Sequence, residues 1–193
     1  MRETHTSRHF LTRNKMTAWK CSGPMRAGKT TELLRVFDRL SVRKAFVSHV
    51  LHRADSRTHG GREYAVNQLV ANLTAFVRAH VETFDALFVD EAQFFELDDF
   101  REAISCALAC GRSVYVAGLD RDYEKTAYPW TSAIEWTQQV KLGGRCQRCT
   151  DLGSVAVYTA YEGPPFADGK FVPESKHFVT CCARCWTLPG GQK

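Results

Sequence analysis

The chain has 193 residues, 44% of them hydrophobic, and carries 26 Lys and Arg against 21 Asp and Glu, for a formal charge of +5 at pH 7. That length suits one α/β domain with a small appendage, and that apolar content fills a core, which excludes a disordered chain. No run reaches transmembrane length, the start lacks the apolar core of a secretory signal, and the basic residues are scattered rather than blocked; the sequence therefore predicts a cytoplasmic protein with no membrane and no nucleic-acid partner.

Residues 1–16 are polar and mixed in charge (Arg2, Glu3, His5, Arg8, His9) and read as a flexible tail. Residues 17–21 read as a short strand. It runs into Gly23-Pro24-Met25-Arg26-Ala27-Gly28-Lys29-Thr30, which fits G-x-x-x-x-G-K-[ST] at every fixed position. Glycines let the backbone curl so that its N–H groups face a polyphosphate. Lys29 offers a cation to the outer phosphates, and Thr30 offers a hydroxyl to Mg²⁺. Residues 31–40 follow as an amphipathic helix, with Leu33, Phe37 and Leu40 at helical spacing. Strand, loop and helix form the context this motif requires; the plain alternative is a Gly-rich turn. The helix start adds its positive dipole end to any bound phosphate.

Residues 45–51 predict a strand, and residues 55–61 a polar loop. Residues 86–90 form a short apolar run ending in an acid, the pattern of a buried parallel strand. Residues 100–109 predict a helix stopped at Gly111, residues 113–119 another buried strand, and residues 132–140 a further helix. The character changes at Gly143-Gly144. The predicted organisation is a tail (1–16), a P-loop α/β nucleotide-binding domain (17–140) and a metal-stapled appendage with a long loop (141–193).

Asp90-Glu91 follows a hydrophobic strand. Behind a phosphate loop, an acid at such a strand end holds Mg²⁺, which assigns Asp90. Glu91 points elsewhere and can act as general base on a substrate hydroxyl. Without the upstream loop, both would read as ordinary strand-end acids.

Eight cysteines in a cytosolic chain do not form a disulfide framework. Four of them form two C-x-x-C knuckles, Cys146/Cys149 and Cys182/Cys185, which suit one tetrahedral structural Zn²⁺ with no open position. The alternative is a set of free buried thiols or a redox pair. Cys181 offers a poorer C-x-x-x-C spacing, Cys106 and Cys110 read as small core residues of their helix, and Cys21 as a strand residue. A metal at the knuckles pins both ends of the segment between them. That segment carries Tyr158, Tyr161, Phe166, Phe171 and Phe178, which suit either a lid over a flat base or internal packing.

Residues 23–35 (G-P-M-x-x-G-K-T-T-E-L-L-R), 88–95 (F-V-D-E-A-Q-F-F), 116–120 (V-A-G-L-D) and the two knuckles together resemble thymidine kinase of the cellular, zinc-containing type, over roughly residues 17 to 187. The resemblance implies a RecA-like P-loop parallel-sheet domain with a small C-terminal zinc-ribbon/lasso domain, usually a homotetramer. It implies transfer of the ATP γ-phosphate to the 5′-hydroxyl of thymidine, with Mg²⁺ and structural Zn²⁺. By the same resemblance, Glu91 takes the hydroxyl proton. The loop residues Gly23, Met25, Arg26, Ala27, Gly28, Lys29, Thr30 and Thr31 meet the phosphates, and Arg57 lies near them or orders its loop. Met25, Phe94, Leu119, Tyr123, Tyr128, Thr159 and Phe178 surround the nucleoside. Aromatic faces and backbone groups suit a flat base with polar edges. A small pocket difference discriminates the 5-methyl group only modestly, so deoxyuridine is a second expected substrate.

The chain departs from the family pattern at Arg26, Tyr123 and Phe178, where the family often has Phe, Phe and Tyr. Pro164-Pro165 stiffens the lasso. Two other classes fit parts of the sequence. A nucleotide-driven ATPase shares the loop and the strand-end acid but leaves the lasso aromatics unused. A zinc-ribbon nucleic-acid binder has too few basic residues near its knuckles (Arg145, Arg148, Arg184).

Overall fold

The computed structural model describes residues 16–50, 68–149, 153–163 and 177–186. Residues 1–15 of the predicted tail, the polar loop at 55–61, Arg57, Phe166, Phe171 and Pro164-Pro165 lie outside the described residues.

Short apolar runs become the strands of one parallel sheet: β1 (Ala18–Gly23), β2 (Lys44–His49), β3 (Gln68–Val70), β4 (Ala86–Asp90), β5 (Ser113–Leu119) and β6 (Gln138–Lys141). Their order is β3-β2-β4-β5-β1-β6, and every pairing is parallel. Helices α1 (Lys29–Arg39), α2 (Leu73–His80) and α3 (Leu97–Ala109) cover the two faces.

Strand alternation explains why the central runs are apolar throughout. In β4, Ala86 and Phe88 pack toward α1, while Leu87 and Val89 join the core under α2 and α3. In β2, Phe46 faces α1 while Ala45 and Val47 face the other side. Phe88 lies between two rings, edge-on to Phe37 of α1 at 4.9 Å and stacked on Tyr115 of β5 at 4.7 Å. Each fully buried side chain of this size contributes about 1.5–3 kcal/mol.

The helix expected at 132–140 does not form. Pro129–Ser132 makes a single 3₁₀ turn, and the chain then extends into β6. Trp130 and Trp136 pack edge to face at 6.1 Å, and the Trp136 indole N–H donates to the Thr131 carbonyl at 2.9 Å. Thr137 N–H donates to the Ala18 carbonyl at 2.8 Å, which starts the pairing of β6 with β1. Backbone pairing at the sheet edge overrides the local helical pattern. β3 and α2 lie outside the elements expected from the sequence; the start of α2 is capped by Asn72, whose side chain accepts from the Ala75 N–H at 2.6 Å.

Past the sheet, β7 (Gly144–Arg145) pairs antiparallel with β8 (Val155–Ala156), and β9 (Tyr158–Tyr161) with β10 (Phe178–Cys181). A small separate core forms here around Cys146, Ala156, Ala160, Cys181 and Cys182.

Candidate functional site

The phosphate-type loop crosses the carboxyl edge of the sheet between β1 and α1. Three of its residues have positive φ, Gly23 (φ 153), Arg26 (φ 56) and Gly28 (φ 84). Gly28 fits that geometry without strain and sits directly at the start of α1. Lys29 is the first residue of α1, and its buried ammonium donates to the Pro24 carbonyl at 2.6 Å. Burial pushes its pKa below the ordinary lysine value, against the opposing pull of Glu91 and Asp90. Thr30 Oγ1 donates to Asp90 Oδ2 at 2.8 Å. Thr31 is exposed on the first turn of the helix.

Asp90 closes β4 and is buried, its Oδ1 accepting from the Glu91 N–H at 3.0 Å. Glu91 has φ 55, an uncommon conformation for a non-glycine residue, which turns the chain sharply off the strand. Its Oε2 accepts from the Gln93 amide at 2.5 Å, and Gln93 Oε1 accepts from the Leu119 N–H at 2.9 Å. Gln93 therefore ties the half-buried Glu91 carboxylate to the end of β5. The neighbouring Gly118 makes room for it: a Cβ there would stand 2.8 Å from Gln93 Oε1 and 3.0 Å from the Trp130 ring. Trp130 Nε1 donates to the Leu119 carbonyl at 2.8 Å.

Phe94 is half-buried beside His49, with ring centroids 6.1 Å apart, and His49 meets Phe95 edge to face at 4.9 Å. Burial lowers the His49 pKa, with Asp99 opposing. Tyr128 packs against the core under α3; burial pushes its pKa up to about 12, with Asp122, Tyr123 and Glu91 adding to the shift.

The hairpin of β9 and β10 grips the loop. Met25 N–H donates to Thr159 Oγ1 at 3.0 Å, and Thr180 Oγ1 donates to the Met25 carbonyl at 2.8 Å. Arg26 Nη1 donates to the Phe178 carbonyl at 3.1 Å and approaches Gln147 Oε1 at 3.4 Å. Gln147 in turn brackets Thr180, accepting its N–H at 2.7 Å and donating its own N–H to its carbonyl at 2.9 Å. Phe178 is buried against Tyr161 (5.2 Å) and Tyr123 (6.3 Å). The Trp186 indole N–H donates to the Tyr123 carbonyl at 3.2 Å, and Lys125 Nζ lies 3.6 Å from the Trp186 ring centre.

Cys146, Cys149, Cys182 and Cys185 converge, their Sγ atoms all within 4.8 Å of one another. Cys182 N–H donates to Cys146 Sγ at 3.3 Å, and that bond is the main cause that lowers the Cys146 pKa to about 6. Such a sulfur accepts a cation readily. Cys181 is buried but outside this group, and burial pushes its pKa up to about 11. Cys106, half-buried, packs against the main core as expected, whereas Cys110 corrects the expectation: it is exposed at the end of α3 and is not a core residue.

The sequence-predicted residues thus converge in two groups. Lys29, Thr30, Asp90 and Glu91 meet at the loop and the β4 end. Met25, Arg26, Thr159 and Phe178 meet where the hairpin docks. Sequence reasoning assigned no role to Gln93, Gln147 or Thr180. Only Gln93 carries a local signal, lying two residues after Glu91 in the acidic motif.

A thymidine kinase family profile matches residues 20–186. Thymidine kinases of Choristoneura biennis entomopoxvirus and Amsacta moorei entomopoxvirus are 25% and 31% identical, over 86% and 66% of this chain and 93% and 76% of theirs. The thymidine kinase of Oryza sativa subsp. japonica is 30% identical over 81% of this chain and 68% of its own length. Among solved structures, Bacteroides Pif1 bound to single-stranded DNA aligns at 13% identity and a TM-score of 0.32, over 54% of this chain and 29% of that one, a likeness too partial to bear on function.

Proposed function

This chain belongs to the thymidine kinase family, and from that premise we propose that Glu91 is the base of its phosphoryl transfer. The chain is an enzyme that phosphorylates thymidine. The observation that carries the assignment is the held carboxylate of Glu91, tethered by Gln93 one residue beyond an Asp90 that already contacts Thr30.

In the proposed reaction, thymidine brings its 5′-hydroxyl to Glu91. The 5′-oxygen forms a bond to the γ-phosphorus of ATP while the bond to the β,γ-bridging oxygen breaks. The hydroxyl proton passes to Glu91, and ADP leaves. Lys29 turns from the Pro24 carbonyl to the outer phosphates, the loop residues Gly23, Met25, Arg26, Ala27, Gly28, Thr30 and Thr31 line the polyphosphate, and the backbone N–H groups from Arg26 to Thr31 donate to it. Thr30 and Asp90 would hold Mg²⁺; their oxygens already meet at 2.8 Å, a donor set that suits a hard cation. Mg²⁺, when bound, neutralises charge on the transferring group. Met25, Phe94, Leu119, Tyr123, Tyr128, Thr159 and Phe178 surround the nucleoside, and Arg57 serves the phosphates. Deoxyuridine is a second substrate.

Cys146, Cys149, Cys182 and Cys185 hold Zn²⁺. A tetrahedral site with Zn–S bonds of about 2.3 Å needs four sulfurs within about 4 Å of one another, close to the spacing the four already have. The proposed division is a tail at 1–16, a nucleotide-binding domain at 17–140 and a zinc ribbon with lasso at 141–193. A homotetramer follows from the family resemblance, and a cytoplasmic location is the reading of the sequence itself.

The deciding experiment is ATP/Mg²⁺-dependent phosphorylation of thymidine and deoxyuridine beside deoxycytidine, deoxyguanosine and a no-nucleoside control. Product with thymidine and deoxyuridine alone is expected. ATP hydrolysis without nucleoside phosphate would overturn the reading.

A further inference from the structure

Ser48 is completely buried, and its Oγ has no hydrogen-bond partner among the described residues. Two other buried polar atoms there share that state, Arg112 Nε and Asp120 Oδ1. Both belong to side chains that are otherwise ion-paired, Arg112 with Glu82 and Asp85, and Asp120 with Lys141. Ser48 differs, because the hydroxyl is its whole polar function. A hydroxyl taken from water with no replacement partner is unfavourable, so its position needs a reason.

The strand geometry supplies one. Side chains of β2 alternate, Phe46 toward α1 and Val47 away from it, which sends Ser48 to the α1 face. The ladder pairs Ser48 directly with Asp90, and the alternation of β4 sends Asp90 to that same face. Asp90 there accepts the Thr30 hydroxyl. Ser48 is therefore a buried hydroxyl at the carboxyl end of the sheet, opposite the acid and on the face that α1 covers.

We propose that Ser48 is a positioning residue for the metal: its hydroxyl receives a water of the Mg²⁺ hydration shell when Mg²⁺·ATP binds at Thr30 and Asp90. The inference rests on the Mg²⁺ assignment above. Mg²⁺ gives up its waters reluctantly and arrives with several, each needing an acceptor once the site closes. Ser48 contributes that acceptor from a rigid strand, where the position of the oxygen is fixed before the ion arrives.

The test is calorimetric binding of ATP in excess EDTA and of Mg²⁺·ATP, with wild type, S48A, S48T, S48V and T30A. Thr and Val have the same shape, so that pair isolates the hydroxyl. Wild type is expected to gain affinity from Mg²⁺. S48A and S48V should lose about three- to tenfold of that gain, and S48T should keep it, with metal-free ATP affinity unchanged in all three. Full Mg²⁺ enhancement in S48A and S48V would overturn the proposal. An equal loss with and without the ion would overturn it too, because Ser48 would then act on the loop rather than the metal. Wild type with no Mg²⁺ enhancement would remove the underlying metal assignment. Enhancement that T30A abolishes while S48V retains it would leave that assignment standing and sink Ser48 alone.

Discussion

The guanidinium of Arg26 donates to the main-chain carbonyl of Phe178 at 3.1 Å, so the exposed tip of the phosphate-type loop is fastened to the last strand of the cysteine-rich unit. The sequence resemblance assigns Arg26 to the phosphates, yet its side chain turns toward β10. Arg26→Ala should therefore raise the KM for thymidine about three- to tenfold while moving the KM for ATP less, in steady-state assays with each substrate varied in turn. A larger change for ATP would return Arg26 to the phosphates.

Glu91→Gln keeps the shape of the side chain and removes the base. Turnover should fall about 10²- to 10⁴-fold, while ATP and thymidine still bind by calorimetry. Turnover near wild type would place the base elsewhere.

Cys182→Ser removes one of the four converging sulfurs, whereas Cys181→Ser changes a buried neighbour outside that group. The first variant should lose bound zinc by elemental analysis and weaken thymidine binding more than ATP binding. The second should retain one zinc per chain. Zinc retained in Cys182→Ser would mean that another group takes its place.

His49 supplies a pH dependence. Burial holds its folded pKa below the unfolded value near 6.5. The unfolded chain then binds the proton more readily, so stability is present above pH 6.5 and declines as the pH falls from there toward the lower folded pKa. Comparing Tm at pH 7.5 and 5.5, His49→Phe should shrink the drop seen in wild type. An undiminished drop would assign the pH response to other groups.

What the sequence discloses depends on how local the cause is. The strands at 86–90 and 113–119 are legible because burial on both faces demands apolar side chains at every position, and β5 matches the expected span end for end. The four converging cysteines are legible because each pair sits in one tight turn. The segment at 132–140 misleads because Thr137 and Val140 are recruited by β1, more than a hundred residues earlier in the chain. Ser48 carries no local signal at all. Its meaning comes from standing opposite Asp90 in a ladder that only the folded sheet creates. Gln93 is intermediate: its nearness to Glu91 is sequential, but its hold on Leu119 is not.

The double grip on Met25 has a consequence for inheritance. The residues that fix this loop position, Thr159 and Thr180, lie 134 and 155 positions away, on the far side of most of the chain. A chimera that took its N-terminal half from this protein and its C-terminal half from a relative would join a loop to a hairpin shaped for a different one. For the purposes of drift and recombination, those two threonines are part of the phosphate-type loop, and an exchange that separates them from Met25 divides a single working part.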